Sequence, residues 1–281
     1  MLRNQVGTVS AAGQPLGGSA SGSASVNAPL WGARSHDWAD IQQGMARPLF
    51  AAVLEETAVN EKTEMLDIGC GAGMLGAMAA ERGACISGID AAAPLIEIAA
   101  ERTPCADFRV GEMETLPFPN DSFDVVTGIN SFQFAADPVR ALREARRVVR
   151  CGGQVVVATW GKAEECEAVA FLAALRPEGA PPSTAQTTGT FNLSEEAALA
   201  MIGQAGLQAV AQEDVAVPFD YPDLATALRG LLSTGPGQAA IASQGEEPVR
   251  RRVSASLESF RTPTGGYHLQ NKFRYMVTRP V

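Results

Sequence analysis

The chain has no apolar run approaching the roughly 20 residues that cross a bilayer, so no membrane span is expected. Its 22 lysines and arginines are outnumbered by 31 acidic residues, and the net charge of -9 argues against a broad nucleic-acid-binding face. The Arg250-Arg251-Arg252 triplet reads as one solvated helix face. The five cysteines, at 70, 85, 105, 151 and 166, are odd in number and scattered, with no Cys-x-x-Cys pair and no histidine at ligand spacing. That excludes a disulfide framework and a zinc site, and no metal is expected. The amino terminus lacks the apolar core of a signal peptide, and residues 7 to 25 are rich in Gly, Ser and Ala. Residues 1–28 therefore read as a flexible tail, and the protein as cytoplasmic. With 46% hydrophobic and 19% charged residues, the remaining 29–281 fit a single soluble globular domain.

What is present is concentrated in one stretch, Met65-Leu66-Asp67-Ile68-Gly69-Cys70-Gly71-Ala72-Gly73-Met74-Leu75-Gly76. A buried-strand run carries an acid near its end and passes straight into a glycine-rich turn. Small residues at 69, 71 and 73 let the backbone turn sharply and approach a ligand at a distance that a Cβ would prevent. Cys70 fills a position that demands a small residue, so its thiol need not be reactive. The portion from Gly71 to Gly76 satisfies the G-x-G-x-x-G pattern of dinucleotide enzymes, whereas Asp67 favours another nucleotide-type cofactor. A purely structural turn is the alternative.

Before this turn, Trp38, Ile41 and Met45 share a helical face, Pro48 restarts the helix, and Leu49, Phe50, Val53 and Leu54 continue it. From residue 64 strand and helix alternate, which implies a parallel sheet with right-handed crossovers. Strands are expected at 64–68, 84–89, 107–110, 123–129 and 154–160. The helix opened by Asp137-Pro138 is read as ending at Gly152-Gly153. Beyond Trp160 the pattern loosens into a helix at 164–175, a Pro/Gly/Thr-rich loop at 177–190, and a helix at 194–204. Two strands then follow, at 207–219 and 267–278. Residues 221 to 262 between them have helical pattern and read as a cap inserted into this last hairpin.

Three acids fall at the ends of successive strands, where open α/β sheets bind ligands. Asp90 lies about 20 residues beyond the glycine turn, where a carboxylate accepts hydrogen bonds from ribose hydroxyls; a helix-opening acid is its alternative. Gly111-Glu112-Met113 follows the third strand, and a carboxylate there can accept from an adenine amino group, although alone it would read as an exposed loop acid. At this point the chain resembles the class I S-adenosylmethionine-dependent methyltransferases. Met65 to Gly73 is similar to their first motif and Gly88-Ile89-Asp90 to their second. Gly111 to Phe118, followed by Asp121-Ser122-Phe123-Asp124-Val125-Val126, is similar to their third and fourth. Val148 to Gly153 matches the turn before their fifth strand. The resemblance covers residues 64–160 and lies nearest the small-molecule group that includes ubiquinone and menaquinone biosynthesis methyltransferases.

The resemblance implies a Rossmann-like, seven-stranded, mostly parallel sheet with an antiparallel last strand and helices on both faces. It also implies S-adenosyl-L-methionine as cofactor and methyl transfer to a small-molecule acceptor. Gly69, Cys70 and Gly71 would meet the methionine part, with Asp67 holding the loop. Asp90 and Ala91 would serve the ribose, Glu112 and Met113 the adenine, and Asn130 the methionine amino group. Glu112 stands where Asp is commoner, and Ala91-Ala92-Ala93 lacks the usual Ser before Pro94. No Asp/Asn-Pro-Pro-aromatic segment follows the fourth strand, where nucleic-acid amino-methylating enzymes carry one. Trp31, Trp38, Phe132, Phe134, Trp160 and Tyr221 are candidates for an apolar acceptor pocket, with His36 beside its entrance. No catalytic residue is identifiable; His36, Asp37, Tyr221 and His268 are the available bases. Two other functions stay open: an NAD(P)-dependent oxidoreductase, for which no Tyr-x-x-x-Lys pair exists, and a non-catalytic S-adenosylmethionine-binding protein.

Overall fold

The computed structural model describes residues 22–179 and 195–281. The first helices are α1 (Ala24–Gly32), α2 (Ser35–Asp37) and α3 (Arg47–Glu56). The alternating core follows as β1 (Glu64–Ile68), α4 (Met74–Ala80), β2 (Cys85–Asp90), α5 (Ala93–Arg102), β3 (Asp107–Val110), β4 (Phe123–Ile129), α6 (Pro138–Val148) and β5 (Val149–Trp160). After α7 (Val169–Ala174) and α8 (Glu195–Gln204) come β6 (Leu207–Ala216) and β7 (Phe219–Tyr221). Helices α9 (Leu224–Leu232), α10 (Gly235–Gln244) and α11 (Glu246–Leu257) separate these from β8 (Tyr267–Leu269) and β9 (Lys272–Pro280).

Seven strands form one sheet in the order β3-β2-β1-β4-β5-β9-β6. Strands β1 to β5 pair in parallel, and β9 runs antiparallel to both β5 and β6. Side chains alternate across the sheet, as a period of two requires. Leu66, Ile68, Val155, Val157 and Met276 pack on one face with Leu142 and Ala145 of α6 and Ile202 of α8. Met65, Val156, Ala158, Tyr275 and Val277 face the other way, onto α3, α4, α7, α9 and α11. The chain order reverses between β1 and β4, and the crevice above that reversal is where a doubly wound sheet takes a ligand.

Four sequence expectations are corrected. Residues 23–28, read as tail, belong to α1 and its cap; residues 1–21 lie outside the described residues, as do 180–194 of the expected loop. Trp38, Ile41 and Met45 do not share one regular face, because Trp38–Gln42 form a π turn and Gln43–Ala46 a 3-10 turn before α3 begins. The wider turn brings the neighbouring amides Gln42 and Gln43 both inside. Gly152-Gly153 does not end α6. That helix stops at Val148 and the chain enters β5 at once, with a register shift between the Phe123–Val149 and Val125–Gln154 pairs that Gly152, at φ 81°, accommodates. The last hairpin is also divided: β6 and β9 join the main sheet, while β7 and β8 form a separate two-stranded ribbon.

Candidate functional site

At the carboxyl ends of β1, β2 and β4 lies a cavity of about 180 Å³. One wall is the glycine turn. Gly69, Gly71 and Gly73 have φ of 73°, 56° and 73°, in the left-handed region that disfavours a side chain. The amides of Gly69 and Cys70 both donate to Ile89 O, at 2.7 and 3.1 Å, which ties the turn to the end of β2. A Cβ on Gly69 would lie 2.4 Å from Ser131 Cβ, and one on Gly71 would lie 2.8 Å from Gln43 Nε2 and 3.1 Å from Trp38 Nε1. The turn is therefore packed against Ser131, just past β4, and against Trp38 and Gln43 of the π and 3-10 turns.

The acids divide their work. Asp67 is buried and accepts from Thr127 Oγ1 at 2.8 Å; burial pushes its carboxyl up to about 7, against the pull of that hydrogen bond, and the charge of Asp90 adds to the rise. Asp90 accepts from the Gly71 amide through one oxygen and from the Ala92 amide through the other, each at 2.9 Å. Its carboxyl is also raised by burial, with the Ala92 and Gly71 amides opposing. Burial likewise pushes the Cys70 thiol up, which makes it a packing group and a poor nucleophile. Glu112 has a partner that sequence reading did not anticipate: it accepts from the Ala24 amide at 2.8 Å and from Ser23 Oγ at 3.3 Å, at the start of α1. A carboxylate at a helix amino terminus is favourable there, and it seats α1 over the cavity.

Asn130, at φ 53°, donates its backbone N–H to Ala158 O at 2.8 Å, and its side-chain Oδ1 accepts from Gln133 Nε2 at 2.9 Å. On the opposite side of the turn, Gln43 Nε2 donates to Cys70 O at 3.1 Å, and Arg102 donates to Gln43 Oε1 at 3.1 Å and to Ala72 O at 2.6 Å. Sequence reasoning missed Gln42, Gln43, Ser131 and Arg102. A pair of adjacent amides in a helical segment reads as solvated surface, and only the π turn shows otherwise.

The structure brings to the cavity wall every residue expected at the cofactor: Asp67, Gly69, Cys70, Gly71, Asp90, Ala91, Glu112, Met113 and Asn130. Trp31, Trp38, Phe134 and Trp160 are also on the wall. His36 and Tyr221 are not. His36 is exposed on α2, and Tyr221 is buried with its hydroxyl donating to Gln42 Oε1 at 2.7 Å. Phe132 lies in the core on the other face of the sheet, against Gly128. His268 is paired with Asp220 at 2.6 Å on the β7–β8 ribbon. Among the described residues no group of acidic, histidine and cysteine side chains could hold a metal, and no helix is long and apolar enough to cross a membrane.

Residues 66–157 match the family model described as a methyltransferase domain. These residues belong to the methyltransferase-domain family. Members of that family use S-adenosylmethionine, and the site suits it. Trp38 Nε1 and Ser131 Oγ are buried polar atoms that lack a hydrogen-bond partner, and both residues line the cavity beside the glycine turn. Among curated relatives, a malonyl-(acyl-carrier protein) O-methyltransferase of Serratia marcescens is 26% identical over 76% of this chain and 80% of its own. A ubiquinone biosynthesis O-methyltransferase of Pseudomonas aeruginosa (strain LESB58) is 32% identical over 45% of this chain and 59% of its own. An uncharacterized 37.1 kDa protein in transposon TN4556 of Streptomyces fradiae is 36% identical, but the match covers 40% of this chain and only 34% of that protein. The fold is shared with the (4+2)-cyclase SpnF, at 22% identity and a TM-score of 0.54, over 83% of this chain and 80% of that one.

Proposed function

We propose that this protein transfers a methyl group from S-adenosylmethionine to a small apolar acceptor by in-line displacement. The observation that carries the reading is one continuous cavity with two unlike walls. On one side stand the strand-end acids and the glycine turn. On the other stand aromatic and aliphatic side chains from α1, α3, β5, α7, β7, α9, α10 and β9, with Asn27, Gln42 and Thr234 as uncharged polar groups among them. In this reading Asp90 takes the ribose hydroxyls, and the Gly69–Gly71 turn with Trp38 and Ser131 holds the methionine end. Met113 packs beside the adenine, and Glu112 is shared between the adenine and α1.

The chemistry that S-adenosylmethionine supplies when bound is a methyl group on a positively charged sulfur, already carrying its leaving group. The work left to the protein is to align the acceptor and exclude water, and proximity with orientation can provide much of the acceleration. Trp31 seats the roof: its ring meets Trp38 edge-on at 4.9 Å and Phe134 at 5.4 Å, while Asn27 Nδ2 donates to Phe134 O at 3.0 Å. The two relatives named as O-methyltransferases have different acceptors in their names, so neither acceptor is transferred to this chain.

Isothermal titration with S-adenosylmethionine, S-adenosylhomocysteine and the nicotinamide cofactors tests the first half. Nicotinamide binding without binding of either sulfur compound would sink the proposal. Turnover of labelled cofactor across an acceptor panel separates an enzyme from a binding protein.

A further inference from the structure

The chemistry of the cavity's second wall constrains the acceptor. Of the described side chains lining the cavity, the ionisable ones are Asp67, Cys70, Asp90 and Glu112, all on the cofactor side. The hydrogen bonds given above already engage the three acids. Residues 2–21 and 180–194, outside the described residues, contain no Asp, Glu, His, Cys, Lys or Tyr. Among the described residues the wall also presents no lysine or arginine to pair an anion. It presents aromatic rings instead: Trp160 lies 4.3 Å from Phe273 and 5.9 Å from Phe219, and Trp31 and Phe134 close the other end.

A phenol would need a base there, and a carboxylate would find no cation of the protein, only the sulfonium that it attacks. A neutral lone pair needs neither. Resting on the methyl-transfer reading, we infer that the acceptor is an apolar, uncharged molecule whose nucleophile is a nitrogen or sulfur lone pair free at neutral pH, a weakly basic heteroaromatic nitrogen or a thioether. The acceptor lone pair forms the new bond to the methyl carbon. The carbon–sulfur bond of the sulfonium breaks with its electron pair left on sulfur, and the positive charge passes to the acceptor. No proton has to leave. An aromatic ring face stabilises both the departing and the arriving cation, which an aliphatic side chain does not.

The test uses the full chain saturated with S-adenosylhomocysteine and follows the fluorescence of Trp31, Trp38 and Trp160, the chain's three tryptophans, all on the cavity wall. N-Methylquinolinium, a product mimic, is expected to bind at least about tenfold more tightly than 1-naphthoate, its anionic counterpart of similar size. Trp160→Leu should reduce that ratio severalfold while leaving S-adenosylhomocysteine affinity within about twofold. Naphthoate binding as well as the cation, or neither binding, overturns the inference. In a turnover arm with labelled cofactor, transfer to 1-naphthol or 1-naphthoate exceeding transfer to quinoline and methyl 2-naphthyl sulfide overturns it also; if none is methylated, the affinity ratio decides. Failure to bind S-adenosylhomocysteine at all would instead refute the methyl-transfer reading on which the inference stands.

Discussion

Asp90→Ala should separate two roles that one carboxylate combines. In the folded protein Asp90 staples the glycine turn to the start of α5, accepting from Gly71 N and Ala92 N at 2.9 Å each. Hydrogen bonds to a charged acceptor contribute roughly 1.5–3 kcal/mol each, but burial of that charge offsets much of the gain, as the raised carboxyl pKa shows. Water in the adjoining cavity can reach the two amides once the side chain is gone, so the expected loss of stability is only about 1–2 kcal/mol. Cofactor binding should suffer more. Two ribose hydroxyls donating to a carboxylate contribute about 3 kcal/mol or more together, so S-adenosylhomocysteine affinity should fall about a hundredfold. Asp90→Asn keeps one acceptor and the side-chain volume, and should lose about tenfold. Titration calorimetry of the three proteins, with thermal melts taken without ligand, reads both roles. Affinity within threefold of the parent in the alanine variant, with a melt near the parent's, would remove Asp90 from the site. Equal losses in both variants would mean that the staple, and not the ribose contact, controls binding.

The other predictions concern the turn, the buried acid and the roof. Asp67, at about 7 when folded against 3.8 as a free side chain, keeps its proton while the unfolded chain loses it. Stability from this group is complete below pH ~4 and is lost as pH rises to ~7, about 4 kcal/mol in isolation. Urea midpoints at pH 5 and 7.5 should therefore differ more in the parent than in Asp67→Asn, and parallel curves would refute the assignment. Gly69→Ala meets both a φ of 73° and Ser131 Cβ at 2.4 Å, whereas Gly152→Ala, at φ 81°, meets nothing within 4 Å. The first should cost about 2 kcal/mol more than the second in chemical denaturation; equal costs would show that the turn has room to shift. Glu112→Gln weakens the carboxylate that receives α1, by about 1 kcal/mol. Hydrogen exchange should then rise across residues 24–32 and nowhere else in the core, and unchanged exchange there would mean that Trp31 alone seats the helix.

What could be read in the sequence was whatever local chemistry determines. Strand β1, its acid, the glycine turn and α4 are contiguous, and so are β2 with Asp90 and β3 with Glu112, so each strand end declares its cavity-lining group within a few residues. The antiparallel placement of β9 came with the family resemblance and agrees with its pairing to β5 and β6. The split of the last hairpin was not legible, because it depends on which segments the sheet captures and which pair with each other. Nor was the π turn. Its backbone bond from Gln43 to Trp38 O is worth no more than an α-helical one, but it lets Gln43 reach Cys70 O and Gln42 reach the hydroxyl of Tyr221, 179 residues away. For the same reason, choosing Tyr221 as an acceptor residue from its aromatic type failed while Trp31 and Phe134 reached the wall. Aromatic type places a residue inside, but which side of a ring meets the cavity is decided by partners distant in sequence. The apolar wall of the cavity is therefore a property of assembly, drawn from elements between α1 and β9, whereas the acidic, glycine-rich wall is a property of three strand ends.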